Sequence, residues 1–205
     1  MKPLAWLFEG WIPDDSLSLF AGDGGIGKST FLVGLAAILS NGSDHKVNGG
    51  VPASTIILSS EDPTGSVMKP RLVAAGADLD RVAYYFVQNE SWQESLTFPK
   101  DLDLLSRAIS ETQAKLVILD PGNGHLDVEN AHADVDMRRA LGPLSGIAAQ
   151  RGCAIIYLIH LNKNKGGGSF RERIIGSVGS VNAARSVLGM ARHPENEDEI
   201  VLAHA

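Results

Sequence analysis

The feature that most constrains this chain is the segment GDGGIGKS, which runs from Gly22 to Ser29. It follows the apolar run SLSLFA and opens a stretch whose apolar spacing predicts a helix over 29–40. Glycines let successive backbone N–H groups turn towards one anion, and a helix N-terminus adds positive partial charge. The pattern G-x-x-x-x-G-K-S between a strand and a helix therefore predicts a phosphate-binding loop. The alternative, a chance glycine-rich turn, fits poorly with both flanking elements in place.

The residues of this loop are expected to bind ATP together with Mg²⁺. Lys28 can reach the β- and γ-phosphates, and Ser29 can offer its hydroxyl to the metal ion. The complete predicted ATP-binding set in this segment is Gly22, Asp23, Gly24, Gly25, Ile26, Gly27, Lys28, Ser29 and Thr30.

Short apolar runs alternate with longer stretches of helical spacing along the chain. The predicted strands are 17–21, 55–59, 84–87, 116–119 and 154–159, followed by a hairpin of 187–192 and 200–203. The predicted helices are 29–40, 66–75, 102–112, 133–150 (broken or kinked at Gly142-Pro143) and 178–185. Near-continuous apolar strands predict a mainly parallel sheet covered by helices on both faces, which is an α/β fold.

Composition limits the classes of function and location. The net charge is −6, so any contact with nucleic acid must be local. The chain has a single cysteine, Cys153, which excludes an internal disulfide. The N-terminus lacks the pattern of a signal peptide and no apolar run has membrane-spanning length, so we expect a cytoplasmic protein without a membrane partner. We expect one domain over 1–205, which continues beyond Ala205 because the chain stops within a predicted strand.

Three polar residues follow predicted strands, at the sheet edge where α/β proteins bind ligands. Asp120 ends the run LVILD and can hold Mg²⁺, partly through water. Glu61 follows TIILSS and can orient or deprotonate an attacking water, although it could instead cap a helix, and Asp62 competes for the catalytic role. His160 ends AIIYLIH and can contact the γ-phosphate, although a lone histidine is more often structural.

The most basic and glycine-rich stretch of the chain follows His160, at 162–173. A cationic loop can follow a nucleic-acid backbone and an aromatic ring can stack on a base, whereas a solvated loop has the same composition. Composition alone leaves these two interpretations open. The candidate DNA-binding residues are Lys163, Lys165, Phe170, Arg171 and Arg173. The loop 121–134 is acidic apart from His125 and His132, which makes it a poor surface for phosphates.

Together these motifs resemble the RecA-like P-loop ATPases, and most closely the plasmid RepA-type hexameric replicative helicases. The matching segments occur in the family's order and cover nearly the whole chain: GDGGIGKST, ILSSEDP, LVILDPGNG, AIIYLIHLNK and IIGSVGSVNAARSVLGMAR. The resemblance implies a RecA-like P-loop NTPase fold, with a mainly parallel central sheet flanked by helices and a C-terminal β-hairpin.

The resemblance also implies roles for individual residues. Glu61 becomes the catalytic base beside Lys28, Asp120 the acid that binds Mg²⁺, and His160 the sensor of the γ-phosphate. Arg185 matches an arginine of the family that contacts nucleotide or a neighbouring subunit. The loops after Asp120 and His160 correspond to loops that face single-stranded DNA in a homo-oligomeric ring, such as a hexamer. The family's basic finger follows the C-terminal hairpin, and this sequence ends before such a residue, so we expect slow turnover if nothing follows.

Three functions are compatible with the sequence. The first is a motor that couples Mg²⁺-dependent ATP hydrolysis to translocation on single-stranded DNA or to unwinding, in plasmid, phage or mobile-element replication. The second is an ATP-regulated recombination or assembly protein without helicase activity. The third is a small-molecule kinase with Arg171 and Arg173 in a lid, although Glu61 and His160 at strand ends fit water activation better.

Overall fold

A computed structural model describes residues 4–62, 64–85, 87–88, 93–94, 96–127, 134–161, 173, 178–196 and 198–205. The strands are β1 (Trp6–Phe8), β2 (Ile12–Pro13), β3 (Leu17–Gly22), β4 (Ser54–Ser59), β5 (Val82–Tyr84), β6 (Val87–Gln88), β7 (Gln93–Glu94), β8 (Ala114–Asp120), β9 (Ala154–His160), β10 (Ser186–Arg192) and β11 (Ile200–His204). The α-helices are α1 (Lys28–Asn41), α2 (Lys69–Ala74), α3 (Leu102–Thr112), α4 (Asp134–Arg151) and α5 (Val178–Ala183).

Seven strands form the central sheet in the order β11-β10-β3-β9-β8-β4-β5. The neighbours from β10 to β5 pair in parallel, and β11 pairs antiparallel with β10 as the second arm of a hairpin. The carboxyl ends of β3, β9, β8 and β4 therefore lie at one edge of the sheet, and strand order decides which of their side chains are neighbours.

Helices cover both faces of this sheet, because successive residues of each central strand are apolar and point to opposite faces. On one face, Leu19, Leu119 and Ile155 share a buried cluster with α3 and α4 residues such as Leu105 and Leu144. The opposite face buries side chains of the same strands against α1 and α2. The predicted α/β fold with a mainly parallel sheet and a C-terminal hairpin is confirmed.

Several predicted boundaries are corrected by the structure. The third strand of the central sheet is Val82–Tyr84, earlier than the predicted 84–87, and Val87–Gln88 instead pairs with Gln93–Glu94. The long helix is not broken near Gly142-Pro143, because α4 runs from Asp134 to Arg151 with Pro143 inside it, and the alternative of a kink there stays a prediction. A π-helical turn (Thr64–Met68) replaces the start of the helix predicted at 66–75.

The N-terminal hairpin of β1 and β2 was not predicted. Its strands are too short for a detectable alternation, and a turn at Glu9-Gly10 separates them. The Trp11 ring next to this turn stacks on His204 of β11, with ring centroids 5.1 Å apart. In the described residues, no helix combines the length and apolarity needed to cross a bilayer.

Candidate nucleotide site

The predicted phosphate loop lies between β3, which ends at Gly22, and α1, which begins at Lys28. Gly25 and Gly27 have φ angles of 73° and 97°, a left-handed conformation that favours glycine. The first turn of α1 contains no acidic residue, so its free N–H groups and positive dipole end are unopposed by a carboxylate in that turn. The loop thus has the backbone geometry of an anion cradle.

Gly22 occupies a crowded position at the base of this cradle. A Cβ atom at Gly22 would lie 2.6 Å from the carbonyl oxygen of Met190 in β10 and 3.2 Å from Cδ of Lys28. The close approach of β10 to the loop therefore requires glycine here.

The Lys28 side chain is 4% exposed and lies folded against the loop. Its Nζ atom donates to the carbonyl oxygens of Gly22 at 2.9 Å and Asp23 at 2.8 Å, and it lies 3.1 Å from Nδ1 of His160. Since an ammonium group only donates, Nδ1 is the acceptor and the ring proton of His160 is on Nε2. Burial lowers the pKa of Lys28, while the carboxylates of Asp120, Asp23 and Glu61 act in the opposite direction.

Strand order explains why Lys28 and His160 meet although they are far apart in sequence. β9 lies directly beside β3, and the register pairs His160 with Gly22. The backbone N–H of Leu161 donates to the carbonyl oxygen of Gly22 at 3.1 Å, which fixes this strand end against the loop. The structure thus brings the candidate sensor to the loop lysine.

Asp120 and Ser29, the two predicted Mg²⁺ ligands, lie close enough for the Ser29 hydroxyl to influence the Asp120 carboxyl. Asp120 is 8% exposed, and burial raises its pKa, with the Ser29 hydroxyl and the nearby His160 acting to lower it. A carboxylate and a hydroxyl are oxygen ligands of the kind that Mg²⁺ prefers, and this ion usually keeps waters and phosphate oxygens for its other positions. These residues therefore fit Mg²⁺. The described part of the chain has no cluster of three or more His, Cys, Asp or Glu side chains that could form an all-protein metal site.

Glu61 and Asp62 follow β4, whose register places Ser59 beside Asp120. Asp62 is engaged in local contacts: its N–H donates to Oγ of Ser59 at 3.1 Å, and its Oδ2 atom accepts from Nη1 of Arg71 at 2.6 Å. Glu61 is exposed and acts electrostatically on both Lys28 and Asp120. Of the two competing acids, the one without an ion pair among the described residues is Glu61.

Arg173, predicted to bind DNA, instead reaches the phosphate loop. Its Nη2 atom donates to Oδ1 of Asp23 at 2.8 Å, and both side chains are partly exposed. The other candidate DNA-binding residues, Lys163, Lys165, Phe170 and Arg171, lie outside the described residues.

Arg185, predicted to contact nucleotide or a neighbouring subunit, is not brought to the phosphate loop of its own chain, so its place in the ATP-binding set stays a prediction for a contact with a neighbouring subunit. Its N–H donates to the carbonyl oxygen of Leu17 at 2.8 Å, so it lies at the amino end of β3, and Gly22 lies at the carboxyl end. Five residues of strand separate these ends by about 16 Å. Arg185 instead borders a cavity of about 440 Å³ with Trp6, Pro13 and His204. The resemblance gives this arginine a role from its position in the sequence, whereas the strand that follows it, β10, decides its location in the structure.

His125 is a residue whose environment the sequence did not reveal. It appeared as one of two histidines in an acidic loop, but the structure buries it completely, in a short 3₁₀ helix that follows Asp120 (Gly122–His125). No local pattern distinguishes it, because its partners come from segments remote in sequence.

Comparisons with known proteins agree with this geometry. The family model described as AAA domain matches residues 1–166. Among solved structures, the chain is similar to one described as an ATPase domain, with 11% sequence identity and a TM-score of 0.65, covering 93% of this chain and 76% of that chain. At this identity the likeness concerns the fold, and it confirms the predicted RecA-like architecture. The chain therefore belongs to the AAA domain family and is a P-loop ATPase domain with a RecA-like fold.

Proposed function

We propose that the chain couples Mg²⁺-dependent ATP hydrolysis to translocation on single-stranded DNA, or to its unwinding, in plasmid, phage or mobile-element replication. The observation that carries this proposal is the contact between Lys28 and His160. It links the phosphate loop directly to the strand from which the basic segment 162–173 continues. Binding or release of phosphate at Lys28 therefore changes the contact of Lys28 with His160, which lies at the start of the candidate DNA-binding segment.

The chemical step follows from the positions of three side chains. The ammonium of Lys28 exchanges its loop carbonyls and His160 for β- and γ-phosphate oxygens and neutralises charge that develops during transfer. Glu61 accepts the proton of the attacking water as the bond between the γ-phosphorus and the β–γ bridging oxygen breaks, which yields ADP and phosphate. Mg²⁺, held by Ser29 and Asp120, would supply further neutralisation at the phosphate oxygens.

His160 then acts as the sensor. While Lys28 binds phosphate, Nδ1 of His160 accepts from water and the N–H on Nε2 can donate to the γ-phosphate, and after phosphate release Nδ1 accepts again from Lys28. These are two discrete arrangements of one side chain at the end of β9, which is the kind of element that can bias a following loop.

The resemblance to RepA-type helicases supports assembly of a homo-oligomeric ring, such as a hexamer, and location in the cytoplasm. In such a ring the exposed Arg185, remote from its own phosphate loop, is available to contact a neighbouring subunit. The alternative of an ATP-regulated assembly or recombination protein uses the same site and differs in lacking strand separation. A small-molecule kinase is disfavoured because Glu61, which is suited to activate water, lies within electrostatic range of Lys28.

The test measures phosphate release with and without single-stranded DNA, together with strand separation of a forked duplex. We expect Mg²⁺-dependent release that DNA stimulates, and ATP-dependent unwinding. Lys28→Ala should abolish nearly all release, because the phosphates lose their buried cation. DNA-stimulated release without unwinding would support the assembly protein, and release that depends on a small-molecule acceptor would support the kinase. Equal release by the parent and by Lys28→Ala would overturn the site assignment.

A further inference from the structure

The 3₁₀ turn Gly122–His125 lies at the centre of the candidate catalytic edge. It follows β8, which carries Asp120 and lies between β9 and β4 in the sheet. The turn therefore lies between β9, which ends at His160, and β4, which is followed by Glu61.

His125 ties this turn to β4. Its ring is 0% exposed, and Nε2 lies 3.1 Å from the carbonyl oxygen of Leu58, three residues before Glu61. Nδ1 lies 3.0 Å from the carbonyl oxygen of Leu96. The ring thus contacts two segments that are remote from each other in the chain. Burial lowers the pKa of His125, so the ring is neutral, carries one N–H and donates to one of these two carbonyl oxygens at a time. A buried polar contact of this kind holds its partner in one arrangement.

Main-chain bonds already hold the Leu96 side of the ring. The N–H of Phe98 donates to the carbonyl oxygen of His125 at 2.8 Å, and the N–H of Asp127 donates to that of Phe98 at 2.9 Å. Removal of the imidazole would leave this side connected through the backbone. The contact to Leu58 is therefore the one through which the His125 side chain acts on the Glu61 strand.

The last residues before Glu61 are also held against the turn. The N–H of Ser60 donates to the carbonyl oxygen of Asp120 at 3.3 Å, and a Cβ atom at Gly124 would overlap Oγ of Ser60. At the other end of the turn, the Tyr157 hydroxyl of β9 donates to Oδ1 of Asn123. The turn is thus fixed at both ends, and its position sets where the chain leaves β4.

We infer that His125 is a positioning residue that carries its ring proton on Nε2, donates it to the carbonyl oxygen of Leu58, and thereby holds Glu61 at the nucleotide. The inference rests on the proposed role of Glu61 as the base. Loss of the hydrogen-bond donor at position 125 should therefore lower kcat and leave ATP affinity unchanged. The reason is that Glu61 acts on water, whereas the phosphate loop is held by other contacts.

The test compares His125→Met with His125→Gln, two replacements of nearly equal length of which the glutamine retains an N–H donor. We expect His125→Met to lower kcat about tenfold or more, since small displacements of a catalytic group are costly. His125→Gln should stay within about threefold of the parent, and both variants should bind ATP within about twofold of it. Ser40→Ala is the matched control: Ser40 is a fully buried side chain that bridges Ala37 and Asp78 remote from the site, and its replacement should leave kcat unchanged.

A double-mutant cycle separates positioning from general structural support. In a Glu61→Gln background, His125→Met should lower the residual rate no further, because the group it positions is already absent. Equal rates for the methionine and glutamine variants, or the same decrease with and without Glu61, would overturn the inference. If His125→Met fails to fold, the inference is tested by His125→Gln alone. A His125→Gln variant that hydrolyses ATP more than tenfold slower than the parent would overturn it. The proposed function stands in all these cases. A Glu61→Gln variant as fast as the parent would refute the inference and move the base to another residue, whereas a Lys28→Ala variant as fast as the parent would refute the site of the proposed function.

Discussion

Lys28 and Asp120 are opposite charges buried at the same edge of the sheet, and burial acts on them in opposite directions. It lowers the pKa of Lys28 and raises the pKa of Asp120, and the field of Asp120 partly offsets the effect on the lysine. Both groups have therefore given up hydration that a charged ligand can replace. Phosphate at Lys28 and a cation at Asp120 would each favour the charged form of its partner, so the site is suited to bind the two together.

Glu61 and Asp62 provide a direct residue-scale test, because they are adjacent and only Asp62 is paired with Arg71. Glu61→Gln should bind ATP within about twofold of the parent and lower kcat at least about a hundredfold, since the amide cannot accept the proton of water. Asp62→Asn, the matched control, should lower kcat no more than about fivefold, because an exposed ion pair contributes little. Phosphate release and fluorescent-nucleotide binding measure the two quantities. The reverse order of effects would move the base to Asp62.

At the scale of elements, the site depends on how closely β10 approaches the phosphate loop. The register pairs Met190 with Gly22, and the carbonyl oxygen of Met190 fills the space that a side chain at Gly22 would need. The loop is thus shaped by a strand about 170 residues later in the chain as well as by its own glycines.

Gly22→Ala tests this approach between elements. The added Cβ atom meets backbone rather than a flexible side-chain end, so the loop or β10 must shift. We expect ATP affinity to fall about tenfold or more, and the free energy of unfolding to fall by about 1–3 kcal/mol. Isothermal titration with ATP and urea unfolding measure these changes.

Gly34→Ala in α1 is the control for this variant. A Cβ atom at Gly34 has no neighbour within 4 Å, so alanine should raise the free energy of unfolding by about 0.5–1 kcal/mol and leave ATP binding unchanged. A Gly22→Ala variant that binds ATP like the parent would show that β10 does not constrain the loop.

At the scale of the whole molecule, a chain of net charge −6 has to bind DNA through a local basic surface if it binds DNA at all. The pairing of Arg173 with Asp23 removes one cation from the candidate surface and assigns it to the phosphate loop. The four predicted basic residues therefore separate into two groups with different expected effects.

Replacing Lys163, Lys165 and Arg171 together by alanine should weaken binding to single-stranded DNA and flatten its salt dependence, by about 0.7 in the log–log slope for each phosphate that the loop no longer neutralises. Arg173→Ala should leave that slope unchanged and alter ATP affinity, because its partner lies in the phosphate loop. Fluorescence anisotropy at several salt concentrations measures both variants. An unaltered slope in the triple variant would show that this segment does not bind DNA and acts only as a linker.

Much of the fold was predictable because its signals are local. Helix α3 was predicted at its observed bounds from apolar spacing alone, and the central strands were found as apolar runs to within one or two residues. The errors lie where a local rule competes with packing. Pro143 is a helix breaker by propensity, but α4 contains it while packing Leu141 and Leu144 into the core. Tyr84 reads as the start of a strand but ends one, because pairing with β4 stops there.

The sequence by itself determined the phosphate loop, its flanking strand and helix, and the polar residue at each strand end, since these depend on the order of neighbouring residues and on backbone sterics. Only the tertiary structure decided which of those strand ends are adjacent. Because β9 lies between β3 and β8, His160 lies beside Lys28. The pairing of β10 with β3 places Arg185 at the opposite end of the strands, and packing brings the buried His125 ring to the carbonyl oxygen of Leu58. Strand order and register are set by packing between segments distant in the chain, and no local pattern contains that information.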